Sequence, residues 1–232
     1  MPTVTVLTMC HNYARFLPEC IDSVRAQTYK DYEHILIDAG SEDDSWEVIR
    51  RYAKLDTRII AVKIEDRGLC SSRNHGLLWA HGQYVTNLDA DDKLHPRFLE
   101  RLLAKAGPKT LVCPGLQEFE GGTGCGWPSW GTSLLDFLDN NRIFCCSMFP
   151  LQDFREVGGY DTGLDWMGYE DWELWIRLLK NGCRVEVVPE ILFYHRGCCT
   201  RGHEASSSRK RLGGHEERVQ YIRSKHGTSS VS

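Results

Sequence analysis

Four short apolar segments, residues 4–9, 33–38, 59–64 and 84–88, alternate with stretches of helical periodicity, and no other feature restricts the fold as much. Residues 17–27 carry Pro18 near the first helical turn and put Leu17, Ile21 and Val24 on one face. The turn Gly40-Ser41 leads into a second helix through Trp46, Ile49 and Ala53. A third helix is predicted from Ser71 or Ser72 to His81, and a fourth over residues 96–106. Strand and helix in alternation imply an α/β fold whose central sheet is largely parallel and covered on both faces.

The second half keeps no such rhythm. Residues 111–113 read as a strand, 121–128 as a glycine-rich loop, and 133–140 and 171–181 as helices, with Gly182 as a helix stop. Residues 184–188 and 191–194 read as two final strands, 197–214 as a mobile loop, and 216–224 as a last helix. At 232 residues the chain is long enough for one sizeable domain, and no repeat or linker divides it.

The apolar fraction of 41% and charged fraction of 26% are ordinary for a soluble protein, and a net charge of -4 argues against a nucleic-acid partner. From Arg196 onward basic residues outnumber acidic ones, which suits a solvated helix or a peripheral contact with a membrane surface. No apolar run approaches the ~20 residues of a membrane span. The N-terminus lacks a basic, signal-like start, so the ten cysteines are expected to stay reduced. A cytoplasmic location, extending to the inner membrane surface, is the expectation.

The sharpest chemical feature is Asn87-Leu88-Asp89-Ala90-Asp91-Asp92, where a hydrophobic strand ends. In open α/β sheets, ligands bind in the crevice beyond the strands' carboxyl ends. Carboxylates crowded there repel one another unless a cation sits between them, and oxygen donors suit Mg²⁺ or Mn²⁺. An acidic turn capping the next helix is the plainer explanation.

Other candidates flank this cluster. Asp38 ends the second strand, where a carboxylate accepts hydrogen bonds from a base or ribose; helix capping at that turn could fall to Ser41, Asp43 or Asp44 instead. Arg73-Asn74 opens the third helix, a place for an anion or nucleobase edge, or simply for an exposed arginine. Glu170 and Asp171 open an aromatic-rich helix, either as dipole-favoured acids or as a general base and its neighbour. Trp172 and Trp175 share a helix face, so at least one belongs to the core. His195, Arg196, Cys198, Cys199 and His203 lack zinc-site spacing; a histidine joining the acidic metal site, with Arg196 or Arg201 on phosphate, fits them better.

In order, these segments resemble the GT-A glycosyltransferases of family 2, over residues 4–195. Ile37-Asp38-Ala39-Gly40-Ser41 is similar to the family's Val-Asp-Asp-Gly-Ser strand end, keeping the first Asp and losing the second. Ser72-Arg73-Asn74 resembles its donor-site helix start, and Leu88-Asp89-Ala90-Asp91-Asp92 its DxD motif. Val157-Gly158-Gly159-Tyr160-Asp161 followed by Glu170-Asp171-Trp172 resembles its acceptor-side acidic motif.

The resemblance implies a GT-A, Rossmann-like domain over residues 1–196, with a nucleotide-sugar half to about 113 and an acceptor half from 114, and a basic loop and helix over 197–232. It implies inverting transfer from a nucleotide diphosphate sugar, UDP favoured, to a glycan, lipid-linked or small-molecule acceptor. Asp38 and Arg73 would hold the base, Asp89 the ribose or metal, Asp91 and His195 the Mn²⁺ or Mg²⁺, and Arg196 the diphosphate. Whether His195 or His203 serves the metal stays open. Asp171 would be the base, with Glu170 beside it; Trp127, Trp130 and the 121–126 loop lie where acceptor contacts could form, though core packing or a homodimer contact explains the tryptophans equally well. A nucleotidylyltransferase or a catalytically silent sugar-nucleotide module are the competing classes. The stretch Thr8-Met9-Cys10-His11-Asn12-Tyr13 lacks the former's phosphate loop.

Overall fold

The computed structural model describes residues 1–121, 123–128, 133–164, 169–197 and 215–227. Its elements in chain order are β1 (Val4–Cys10), α1 (Leu17–Arg25), β2 (Tyr32–Ala39), α2 (Ser45–Leu55), β3 (Ile59–Ile64), α3 (Leu69–Leu77), β4 (Tyr84–Asn87), β5 (Lys93–Leu94) and α4 (Phe98–Leu103). There follow β6 (Thr110–Phe119), β7 (Cys125–Gly126), α5 (Leu134–Asp139), β8 (Phe149–Pro150), α6 (Leu151–Glu156), α7 (Glu170–Lys180), β9 (Arg184–Arg196) and α8 (His215–His226).

The alternating first half forms the predicted parallel sheet, in the order β3-β2-β1-β4, with β8 added antiparallel at the β4 edge. Leu17, Cys20, Ile21 and Val24 form the buried face of α1, as the periodicity requires. On the other side of the sheet, Leu7, Ile35 and Ile37 join a core that includes Cys70, Leu77, Phe149 and Trp175. Cys10, Asp38 and Lys63 lie in register across β1, β2 and β3, so the strands end together at one crevice.

Gly76 sets how closely α3 approaches this sheet. A Cβ there would fall 2.1 Å from the Ile37 Cδ1 and 2.9 Å from the Leu7 Cδ1, and both side chains are sealed in the core. Helix α3 starts earlier than predicted because Gly68, at φ 104, turns the chain into it two residues ahead of Ser71.

A second sheet, ordered β5-β9-β6-β7, accounts for most of the irregular half. Its centre is the parallel pair β6–β9. The two strands predicted over 184–188 and 191–194 are one strand, because β6 shifts register at Pro114/Gly115. Val188 pairs with Pro114 and Ile191 with Gly115, so Pro189 and Glu190 bulge out without ending β9. β6 likewise runs well past the predicted 111–113, and part of the 121–128 loop pairs with it as β7. Each half lends a strand to the other's sheet: β5 joins the second and β8 the first. Trp172 and Trp175 are both core. Most of the predicted 197–214 loop, with Cys198, Cys199, Arg201 and His203, lies outside the described residues, as does Trp130. Among the described residues no helix is long and apolar enough to cross a membrane.

Candidate functional site

The crevice floor is built on Arg73. It sits in the second turn of α3, is 2% exposed, and is far from the surface arginine that a helix start allows. One guanidinium nitrogen donates to Asp89 Oδ1 at 2.8 Å and the other to Glu170 Oε1 at 2.7 Å. The planar fork suits two carboxylates that approach from different elements. The ring of Tyr160 lies 5.6 Å from the guanidinium carbon. These neighbours hold Arg73 protonated well above its ordinary range, the Glu170 and Asp89 charges outweighing burial. Asn74 completes the floor by clamping Tyr160: its amide donates to the Tyr160 carbonyl at 2.9 Å and accepts from the Tyr160 N–H at 2.7 Å. Gly158 and Gly159, at φ 85 and 78, allow the turn that presents Tyr160.

The three aspartates after β4 separate. Asp89 keeps a 42% exposed side chain at the crevice beside Arg73. Asp91 is half-buried, and its carbonyl accepts from Arg196 Nε at 2.8 Å. Asp92 is turned inward, 1% exposed, where it accepts from the Arg196 amide at 2.8 Å and pairs with His195 Nδ1 at 3.1 Å. That pairing raises His195 to about 9, so its ring holds a proton and is directed to Asp92. His195, expected as a metal ligand, is thus placed as the partner of a buried carboxylate. Burial drives Asp92 up, and the imidazolium opposes it.

Among the described residues no three His, Cys, Asp or Glu side chains come together to hold a metal ion. Arg73 draws Asp89 to the floor and His195 draws Asp92 inward. The remaining donor set still fits Mg²⁺ or Mn²⁺, which take one or two carboxylates and complete their shell with phosphate oxygens and water. Asp89 and Asp91, two hard oxygen donors separated by a single residue at the crevice, are that set.

Arg196 closes the rim. Its guanidinium donates to Glu19 Oε2 at 2.5 Å and to Glu120, and lies over the rings of Phe16 and Phe119 at 4.7 and 4.5 Å. Asp38 ends β2 fully buried; Oδ1 accepts from the Ser41 N–H at 3.1 Å. Its Oδ2 has no hydrogen-bond partner and faces Lys63 Nζ at 3.7 Å. A buried carboxylate oxygen left unsatisfied at a strand end is a ready acceptor for a ligand donor.

Opposite the aspartates, α7 begins after Tyr169, whose left-handed φ of 67 turns the chain sharply. Glu170 points at Arg73, while the half-buried Asp171 accepts from the Trp172 N–H at 2.8 Å and from Asn141 Nδ2 at 3.0 Å. Burial and then the Glu170 charge raise Asp171 to about 7, where a carboxylate is a competent base near neutral pH. Cys145 is close enough to feel the charges of Asp89, Asp171 and Asp92, and burial holds its thiol protonated.

The structure therefore brings Arg73, Asp89, Glu170 and Asp171 to one floor, places Asp91 and Arg196 at its rim, and sets Asp38 at the neighbouring strand end. Asn141 escaped the sequence reading, and so did the contact that joins Asn74 to Tyr160, two residues that it places in separate motifs. Asn141 lies 30 positions from the carboxylate it meets, and no motif links them.

The family model described as glycosyl transferase family 2 matches residues 5–156. A second, described as the N-terminal domain of galactosyltransferase, matches residues 138–196. TuaG of Bacillus subtilis (strain 168), a relative bearing a teichuronic acid biosynthesis glycosyltransferase name, is 35% identical over 84% of this chain and 79% of its own. The chain spans only 35%, 15% and 33% of EpsH, GlyA and EpsJ, three other relatives. Among solved structures, Staphylococcus aureus TarS with UDP-GlcNAc superposes at TM-score 0.75, with 16% identity, over 96% of this chain and 64% of that one. A Pyrobaculum calidifontis mannosyltransferase with GDP-Man and Mn2+ superposes at 0.62, with 19% identity, over 97% and 61%. Those likenesses carry the fold, which is GT-A. With two thirds of its length under the family model and a floor of acid–arginine–acid contacts at the sheet's carboxyl edge, the chain belongs to glycosyltransferase family 2.

Proposed function

We propose that this chain transfers a sugar, with inversion, from a nucleotide diphosphate donor to an acceptor hydroxyl, and that Asp171 is the base. One observation carries the reading: buried Arg73 joins the donor-side Asp89 to Glu170, the neighbour of Asp171. The residues for leaving-group and acceptor chemistry are thereby fixed against each other, which positioning catalysis requires.

The acceptor O–H gives its proton to Asp171 as its oxygen bonds to the anomeric carbon. The bond from that carbon to the diphosphate oxygen breaks on the opposite face, through a transition state of oxocarbenium character. Base catalysis of this type contributes about 10²–10⁴-fold. Asn141 and the Trp172 amide orient Asp171 through both of its oxygens. Asp38 Oδ2 supplies an acceptor for the base or ribose, and Arg196 a charge for the diphosphate. Asp89 and Asp91 would hold Mn²⁺ or Mg²⁺, which offsets diphosphate charge as a Lewis acid. Residues 1–113 then serve mainly the donor and 114–196 the acceptor. A UDP donor is supported by TarS, solved with UDP and with UDP-GlcNAc. A role in surface polysaccharide assembly is supported by the name of TuaG.

The test is isothermal titration of the whole chain with UDP, GDP and other nucleoside diphosphates, in Mn²⁺ and then in EDTA. Tight binding of one nucleotide that weakens in EDTA is expected. Equal affinity with and without metal would remove Asp89 and Asp91 as its holders, and no binding at all would leave a carbohydrate-binding role ahead.

A further inference from the structure

A cavity of about 950 Å³ lies beside the proposed base, between Asn140, Asn141 and Tyr169 on one side and α8 on the other. We infer that this cavity is the acceptor subsite and that it selects an uncharged saccharide, an inference that rests on Asp171 being the base. Asn141 makes the connection, since it lines the cavity and also donates to Asp171 Oδ2 at 3.0 Å. Asp171 itself lies just beyond the lining, so a saccharide seated there would extend its terminal hydroxyl past Asn141 to meet the carboxylate.

The far wall is the stripe Glu216, Gln220 and Arg223, spaced by four and three residues and therefore on one face of α8. The other side of the helix is anchored. Ile222 is fully buried, Lys225 Nζ reaches Asp161 at 2.8 Å and Glu173 at 2.7 Å, and the Tyr221 hydroxyl donates to Asp161 at 2.7 Å. Because Glu173 belongs to α7, the same ion pairs fix the wall relative to Asp171. The Tyr169 hydroxyl contacts His215 Nδ1 at 2.7 Å, joining the two walls at the start of α8.

The chemistry of the walls favours a polyhydroxylated ligand. Two asparagine amides, a glutamine amide, two carboxylates and a guanidinium present donors and acceptors in one cavity, while the Tyr169 ring, with Arg218 over it, closes the near wall. Glu216 and Glu217 are matched by Arg223 in the wall and by Arg218 over the Tyr169 ring, so the cavity has no cationic excess to draw phosphate- or uronate-bearing ligands. Lys225 of α8 is held by Asp161 and Glu173. The two family models end at residues 156 and 196, so this wall comes from a segment that neither describes.

The test uses the full chain with saturating UDP and Mn²⁺ and reads saccharide binding by saturation-transfer NMR and titration. The neutral probes are maltotetraose and chitotetraose; a hyaluronan tetrasaccharide and mannose 6-phosphate are the anionic ones. A neutral probe should bind, and Gln220→Ala and Arg223→Ala should each weaken it about tenfold, the loss of one good hydrogen bond. Arg50→Ala, on the exposed face of α2, should leave it unchanged. Neutral binding untouched by both α8 variants, preference for an anionic probe, or no saccharide binding while UDP binds would each overturn the inference. Failure of UDP and of every other nucleoside diphosphate to bind would remove the transferase reading, and the subsite with it.

Discussion

The floor and the rim of the crevice each hold a buried arginine, and the two differ in one partner. Arg73, its side chain 2% exposed, lies between Asp89 at 42% and the largely buried Glu170 at 10%. Arg196 is nearly as buried, at 3%, yet its acidic partners Glu19 and Glu120 are 44% and 56% exposed. An ion pair with a buried partner cannot exchange that partner for water without a large cost, whereas one with an exposed partner exchanges readily. Arg73 is thus a strut held through Glu170, whereas the exposed acids of Arg196 suit the diphosphate role proposed for it above. A buried arginine beside carboxylates is not evidence of ligand binding; the exposure of its partners decides what it is free to do.

Replacing each arginine separates the two roles. Arg73→Met leaves two carboxylates facing each other, and we expect a stability loss of about 3–5 kcal/mol together with loss of transfer. Denaturant unfolding with a midpoint unchanged from the parent would show that Arg73 is not a strut. Asp171→Asn should lower turnover by about 10²–10⁴-fold while nucleotide affinity stays level, measured by product formation and by titration. Retained turnover would remove Asp171 as base.

Arg196→Gln should raise the donor KM about tenfold and cost less stability than Arg73→Met, because exposed acids are left solvated and a rim charge is worth about 1 kcal/mol. An Arg196→Gln enzyme with unaltered donor KM but collapsed stability would make the rim a second strut. The smallest effect expected is on pH dependence. Asp171 titrates near 7 in the folded chain, above its ordinary range, so turnover should rise as pH passes through about 7. The same shift means that the unfolded chain ionises Asp171 first. Its contribution to stability therefore falls as pH climbs from about 4 to about 7, the ordinary and raised values, and Asp171→Asn should abolish that fall. A flat rate profile between pH 6 and 8 would place the base elsewhere.

The same contrast explains how much was legible beforehand. β1, β2 and β4 were readable as short apolar runs because the parallel sheet is covered on both faces, and α1 and α2 because each buries one face. β5, β7 and β8 are two residues long, too short to carry any period, and the shorter α4 loses its predicted ends at Pro96 and Ala106. β9 reads as two strands because Pro189 normally breaks a ladder, and only its partner β6 reveals the bulge that absorbs it. The candidate side chains were legible by type and order. Their pairing was not: Arg73 meets Glu170 across 97 positions and His195 meets Asp92 across 103, distances over which sequence pattern says nothing about which charge faces which.

The glycine at position 76 gains meaning from the strut one turn before it. Helix α3 rests on the sheet at a spacing that leaves no room for even one methyl group over Ile37 and Leu7. Arg73 rides on the same helix, so the depth at which its fork meets two carboxylates is gauged by an absent atom. The accuracy of the floor is therefore a dimension of the packing rather than of any charged group, and a change as small as added bulk at residue 76 would lift the arginine out of alignment while leaving every carboxylate in place.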